Sequence, residues 1–121
     1  MNILLADDQN KVRFALRVLL EQKPGIKIVE EATSAGEVMA RLRQACPDLV
    51  ILDWNLPGLD IASVLEMLHQ YCPHTYVIAL SEREETQPLA LASGVDAFAC
   101  KTNSPERLLS LIEDYAHRQS A

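Results

Sequence analysis

Asp7 and Asp8 follow the apolar run NILLA, Asp53 follows LVIL, Ser81 follows VIAL, and Lys101 follows VDAFAC. Open α/β sheets place their working crevice beyond the carboxyl ends of the strands. If these runs are parallel strands of one sheet, three carboxylates, a hydroxyl and an ammonium therefore meet on one edge. Carboxylates packed that closely hold their protons unless a cation stands between them. A hard divalent ion is the simplest remedy. Magnesium suits the set, because it takes oxygen ligands and is commonly held by one or two carboxylates together with phosphate oxygens. The chemistry indicated is phosphoryl transfer to a carboxylate.

The runs that position these groups are of strand length: residues 2–6, 26–30, 49–52, 76–80 and 95–100. Several are apolar on both faces, which marks a parallel sheet covered on both sides by helices. Between them lie helical stripes: Val12, Ala15, Leu16 and Leu19; Ala35, Val38, Met39 and Leu42; Ile61, Val64, Leu65 and Leu68; and Leu108, Leu111, Ile112 and Tyr115. Asp60 is placed as an N-cap after the Pro57-Gly58 turn, and Ser104 precedes Pro105, a favoured first helical residue. Pro88 restricts the remaining helix to a short one that starts near Thr86 or Gln87 and ends before Gly94, with residues 81–85 as a mobile loop. Strand and helix alternate five times, so the fold class is α/β, a three-layer sandwich.

The 121 residues form one domain on size grounds, 1–121, with a core over about 2–116 and a frayed polar tail at 117–121. The three cysteines, Cys46, Cys72 and Cys100, make no C-x-x-C pair; they read as small buried hydrophobes in a reducing cytosol, with neither a disulfide framework nor a zinc site. His69, His74 and His117 share no metal spacing. No apolar run approaches the ~20 residues of a membrane helix. A soluble, unprocessed, cytoplasmic protein is expected. The formal charge of −6, with Glu82, Glu84 and Glu85 close together, opposes the electrostatic attraction on which DNA affinity largely rests. No direct nucleic-acid binding by this domain is expected.

The pieces ILLADDQ, LVILDWNLPGLD, VIALSE, the stretch Gly94-Val95-Asp96-Ala97-Phe98 and Lys101 together resemble the receiver domain of a two-component response regulator, over about residues 2–115. Each piece alone is weak; their order and spacing are specific. The resemblance implies the flavodoxin-like strand order 2-1-3-4-5 with five helices. It makes Asp53 the phosphoacceptor, which takes a phosphoryl group from the phosphohistidine of a histidine kinase or phosphotransfer protein. It implies Mg2+ bound by Asp8, Asp53 and the backbone carbonyl of Asn55, with Asp7 holding a metal-bound water. Lys101 would pair with the phosphoryl group, Ser81 would donate its hydroxyl to it, and Phe98 resembles the aromatic switch residue.

Phosphoryl transfer passes through a loose in-line transition state, so positioning and charge neutralisation carry the catalysis. An ionised Asp53 needs no separate base to attack. A phosphoryl group there can draw the Ser81 hydroxyl, and the vacated space can admit the Phe98 ring. Plainer readings stand beside these. Asp7 alone fits an N-cap of the first helix, Asp53 a turn former, Ser81 a helix cap, Lys101 a solvated charge and Phe98 core packing. Trp54 either packs beside Asp53 or fills space over the loop.

Several positions depart from the family pattern. Thr102 follows Lys101 where proline in a cis peptide is usual, which implies a non-proline cis bond or a rearranged loop. Ile61 follows Asp60 where glycine is usual, and Ser81 stands where threonine is commoner. Asn55 and Arg83 occupy positions that, by the resemblance, influence in this family how fast water attacks the acyl phosphate. Residues 101–108 are similar to receivers that precede a LuxR-type helix-turn-helix domain, so the chain is a single-domain regulator or, the favoured reading, the N-terminal part of a transcription factor. Phosphorylation-dependent homodimerisation on the fourth and fifth helices is the family's common mode. Two rivals remain: a degenerate receiver serving as an interaction module, and a haloacid-dehalogenase-like phosphatase, whose D-x-D motif is missing here because Asp7 and Asp8 are adjacent.

Overall fold

Alternate residues of each strand face opposite sides, and in this chain both sides are apolar. The computed structural model describes residues 1–120. Its elements run β1 Asn2–Ala6, α1 Asn10–Glu21, β2 Ile28–Ala32, α2 Ala35–Gln44, β3 Leu49–Asp53, α3 Ile61–Tyr71, β4 Tyr76–Ser81, a 3-10 turn Glu84–Thr86, α4 Gln87–Ser93, β5 Ala97–Cys100 and α5 Pro105–Ser120. All strand pairs are parallel, in the order β2-β1-β3-β4-β5. Leu4, Val50, Leu52, Ala79 and Phe98 bury one face against α2, α3 and α4. Ile3, Leu5, Ile51, Ile78 and Ala99 bury the other against Leu20 of α1 and Leu108, Ile112 and Tyr115 of α5. This is the expected flavodoxin-like three-layer sandwich.

The boundaries differ in instructive places. β2 begins two residues later than expected and ends at Ala32, taking in Glu31. A charged residue reads as a strand end, yet β2 is an edge strand, where charge is tolerated. α4 begins at Gln87 with Pro88 in its first turn and stops at Gly94, whose φ of +110° gives the left-handed cap that glycine favours. The loop expected over residues 81–85 carries the start of a 3-10 turn. Asp60 holds the N-cap position of α3, but its side chain accepts no backbone N–H; its carboxylate accepts the Ser63 hydroxyl at 2.8 Å instead. α5 continues to Ser120, through four of the five residues expected to be frayed; Ala121 lies outside the described residues.

The cysteine reading is corrected. Cys46, in the loop before β3, and Cys72, at the C-terminus of α3, form a disulfide with their Cα atoms 5.5 Å apart. Cys46 is exposed, and only Cys72 and Cys100 are buried. The two partners are 26 positions apart in sequence. No spacing motif marks such a pair, because the packing of α2 beside α3 brings it together.

Candidate functional site

Strand register does the first part of the assembly. β1 and β3 are neighbours aligned through Ala6 and Leu52, so Asp7 and Asp53 emerge side by side at the carboxyl edge. Oxygens of Asp7, Asp8 and Asp53 all lie within 4.8 Å of one another. Asp7 and Asp53 are buried, 2% and 1% exposed, whereas Asp8 faces outward. Asp7 anchors its own loop: its N–H donates to Ala32 O at 3.0 Å, and its Oδ1 accepts the Gln9 N–H at 2.9 Å. It therefore shapes the turn into α1 without capping the helix. The N-cap position belongs to Gln9, which makes no side-chain cap bond. Asp53 Oδ1 accepts the Asn55 N–H at 3.1 Å, which fixes that carboxylate from the following turn.

Lys101 comes from the far strand. Its N–H donates to Ser81 O at 2.7 Å, which lays the end of β5 beside the end of β4. Its Nζ then lies 2.7 Å from Asp7 Oδ2 and 3.3 Å from Asp53 Oδ1. The buried Asp7 Oδ2 has the Lys101 ammonium as its ion-pair partner. Of the two ways to pass Lys101 without proline, the chain takes the rearranged loop. The described residues contain no cis peptide, and a turn closes with the Asn103 N–H on Cys100 O at 3.1 Å.

Burial pushes the Asp53 carboxyl up from its ordinary 3.8; the Asn55 N–H pulls it down, the charge of Asp7 pushes it up, Lys101 pulls it down, and the net direction is up. Burial pushes Lys101 down from 10.5, but the carboxylates of Asp7 and then Asp53 outweigh it, and the ammonium ends above its usual value. Three carboxylates facing one ammonium leave two negative charges in excess when all are ionised. Three converging carboxylates with a single ammonium among them are a set of oxygen ligands that fits a divalent oxygen-seeking cation such as Mg2+.

Four of the predicted site residues, Asp7, Asp8, Asp53 and Lys101, are thus brought together. Asn55 adjoins them through its backbone, while its side chain is exposed. Ser81 is buried at the end of β4, but its hydroxyl faces its own loop: it donates to Thr86 Oγ1 at 3.0 Å and accepts the Arg83 N–H at 3.1 Å. The Phe98 ring is buried in the core layer that α4 covers. Trp54 packs half-buried against that same layer. Two contributors escaped the sequence reading. Gln9 Oε1 accepts from Lys101 Nζ at 3.4 Å, and Arg13 donates to the carbonyl of Asp7 at 2.8 Å. The available signal was a basic residue flanking the α1 stripe, six positions beyond Asp7.

A parallel five-stranded sandwich in this order, with an acidic trio and a lysine at its carboxyl edge, defines a class. The chain matches the response regulator receiver domain family over residues 3–113, and it belongs to that family. It is 33% identical over 112 residues to the transcriptional regulatory protein YhcZ of Bacillus subtilis, a match spanning 90% of this chain and 52% of that protein. It is 31% identical over 116 residues to the nitrate/nitrite response regulator NarL of Escherichia coli, spanning 94% of this chain and 54% of that one. A solved LuxR-family two-component response regulator from Aurantimonas superposes with a TM-score of 0.83 at 29% identity, covering 96% of this chain and 85% of that one. The chain spans about half the length of the curated relatives it matches. Among the described residues no helix is long and apolar enough to cross a membrane.

Proposed function

We propose that residues 1–121 act as a single phosphoacceptor unit: Asp53 takes a phosphoryl group from the phosphohistidine of a histidine kinase or phosphotransfer protein. The P–N bond to the donor imidazole breaks as an oxygen of Asp53 bonds to phosphorus. The imidazole nitrogen keeps the electron pair, and the product is an acyl phosphate. The observation that carries this reading is the convergence of Asp7, Asp8 and Asp53 within 4.8 Å beside the Lys101 ammonium. Asp8, Asp53 and the carbonyl of Asn55 would hold Mg2+, with Asp7 acting through a water; the ion supplies charge neutralisation on phosphate oxygens when bound. Lys101 neutralises the incoming phosphoryl group once its hold on Asp7 is relaxed. Asp53 is nearly closed off from solvent.

Ser81 and Phe98 form the switch. The Ser81 hydroxyl leaves Thr86 for a phosphoryl oxygen, and this pulls on the 3-10 turn Glu84–Thr86 that precedes α4. Phe98 already lies inward, in the same buried cluster as Ala90 of α4, so a shift of α4 would repack the layer that holds its ring. Converting such a surface from mostly one state to mostly the other takes roughly 3 to 5 kcal/mol. One or two charge-assisted hydrogen bonds at about 1.5 to 3 kcal/mol each supply that. The domain is a signalling acceptor with slow self-dephosphorylation, not a turnover enzyme, and it acts in the cytoplasm.

The similarity to transcriptional regulators about twice as long supports the receiver half of such a protein, with a helix-turn-helix output domain following it and phosphorylation-dependent dimerisation as the output step. The test of the core reading is incubation with acetyl phosphate and Mg2+, read by intact mass. One phosphoryl group is expected on the wild type and none on Asp53→Asn. An unlabelled wild type would point instead to a receiver used as an unphosphorylated interaction module.

A further inference from the structure

We infer that Arg13 is a positioning residue for the cation site, acting through the backbone of the loop that carries Asp7 and Asp8. The inference rests on the reading of that site as a divalent-cation centre. Every nitrogen of the Arg13 guanidinium has a separate task. Nε donates to Glu31 Oε1 on β2 at 2.8 Å, Nη1 donates to the main-chain carbonyl of Asp7 at 2.8 Å, and Nη2 donates to Asn10 Oδ1 at the start of α1. The side chain is only 12% exposed. It therefore ties together the edge strand, the acidic loop and the first helical turn, which are the three parts that meet at residues 7–10.

Magnesium demands near-ideal octahedral geometry, so the loop carrying two of the carboxylates must hold its backbone closely. Asp7 fixes the loop from within through Gln9 and from the sheet through Ala32. Arg13 supplies the restraint from the helix side. A planar fork with rigidly spaced donors is suited to this, and an ammonium on a flexible stem is not.

Arg17 provides the internal control. It also bridges α1 and β2, reaching Glu31 Oε2 at 2.7 Å and Val29 O at 2.6 Å, and it pairs with Glu21 at 2.9 Å. All of its partners lie outside the acidic loop. A purely structural role for Arg13 predicts that the two arginines behave alike.

The test is the Mg2+-dependent rise in melting temperature, titrated with Mg2+ alone and converted to affinity by linkage. Arg13→Ala is expected to weaken Mg2+ binding roughly tenfold, the usual scale for outer partners of metal ligands. Arg13→Lys is expected to recover little of it. Arg17→Ala is expected to lower the melting temperature without Mg2+ and to keep wild-type Mg2+ affinity. Wild-type affinity in folded Arg13→Ala, or an equal loss in Arg17→Ala, overturns the inference. Should Arg13→Ala fail to fold, Glu31→Gln keeps the bond to Asp7 while loosening its anchor; it is expected to weaken Mg2+ by a smaller factor, and unchanged affinity overturns the inference. A wild type that does not respond to Mg2+ would instead remove the cation-site reading on which the inference rests.

Discussion

The Lys101 ammonium stands closer to Asp7, at 2.7 Å, than to Asp53, at 3.3 Å. One lysine thus serves two buried carboxylates, and it competes directly with any cation that would do the same. Lys101→Met is expected to bind Mg2+ about tenfold more tightly, a gain of one competing interaction near 1.4 kcal/mol. Without Mg2+ the variant should be less stable by roughly 3 kcal/mol, because two buried carboxylates lose their partner. Its labelling by acetyl phosphate should slow by roughly a hundredfold or more, as for the loss of a transition-state charge partner. Thermal melts across a Mg2+ series and a labelling time course would show whether tighter binding and slower transfer occur together.

Glu31 sets a separate acid limit on the fold. Burial pushes its carboxyl up, but hydrogen bonds and charge from Arg13 and Arg17 outweigh that and hold it below its ordinary 4.5. A folded-state value below the unfolded one contributes stability that is present above 4.5 and lost as the pH falls through the folded value. Glu31→Gln should therefore cost about 1 kcal/mol at neutral pH, a modest figure because the pair is partly solvated. The gap between variant and wild type should close on acidification below 4.5, as followed by urea unfolding at successive pH values.

The Cys46–Cys72 bond closes a loop of 26 residues at the edge of the sheet opposite the acidic site. A cross-link over such a loop restrains the unfolded chain by roughly 3 kcal/mol. Melting under oxidising and reducing conditions should differ accordingly, and Cys72→Ser should melt at the reduced value under both. Labelling of Asp53 should proceed in either state, since Asp7, Asp8 and Asp53 converge at the other edge of the sheet.

The main-chain N–H groups of Asn55 and Arg83 donate to Asp53 Oδ1 and Ser81 Oγ, and both side chains are exposed. On the proposed phosphoacceptor reading, truncating either is expected to ease the approach of water to Asp53. Asn55→Ala and Arg83→Ala are each expected to shorten the lifetime of the acyl phosphate about fivefold, near 1 kcal/mol in barrier. Phosphate release from labelled protein measures this directly; unchanged rates would mean that neither side chain controls access.

The alternation of strands and helices and the clustering of the acidic residues were legible in the sequence because each depends on local patterns that repeat, whereas the strand order came only from the family resemblance. Five strand-length runs alternate with helical stripes, and a reactive residue stands after the first, third, fourth and fifth of them. Such patterns survive reading in one dimension, since side-chain periodicity is a property of the backbone itself. The edge strand was expected at 26–30 and lies at Ile28–Ala32, where Arg13 and Arg17 of another element neutralise the Glu31 it takes in.

The sequence by itself determined that Asp7, Asp8, Asp53 and Lys101 would share one edge, because parallel strands covered by helices leave no other arrangement for residues that follow them. Only the tertiary structure decided which oxygen Lys101 grips, that the Ser81 hydroxyl faces Thr86, that Phe98 lies inward, and that Cys46 meets Cys72. Those outcomes depend on distances of a few ångströms between segments far apart in the chain. They are set by how helices pack across a sheet, a quantity that no spacing along the sequence records.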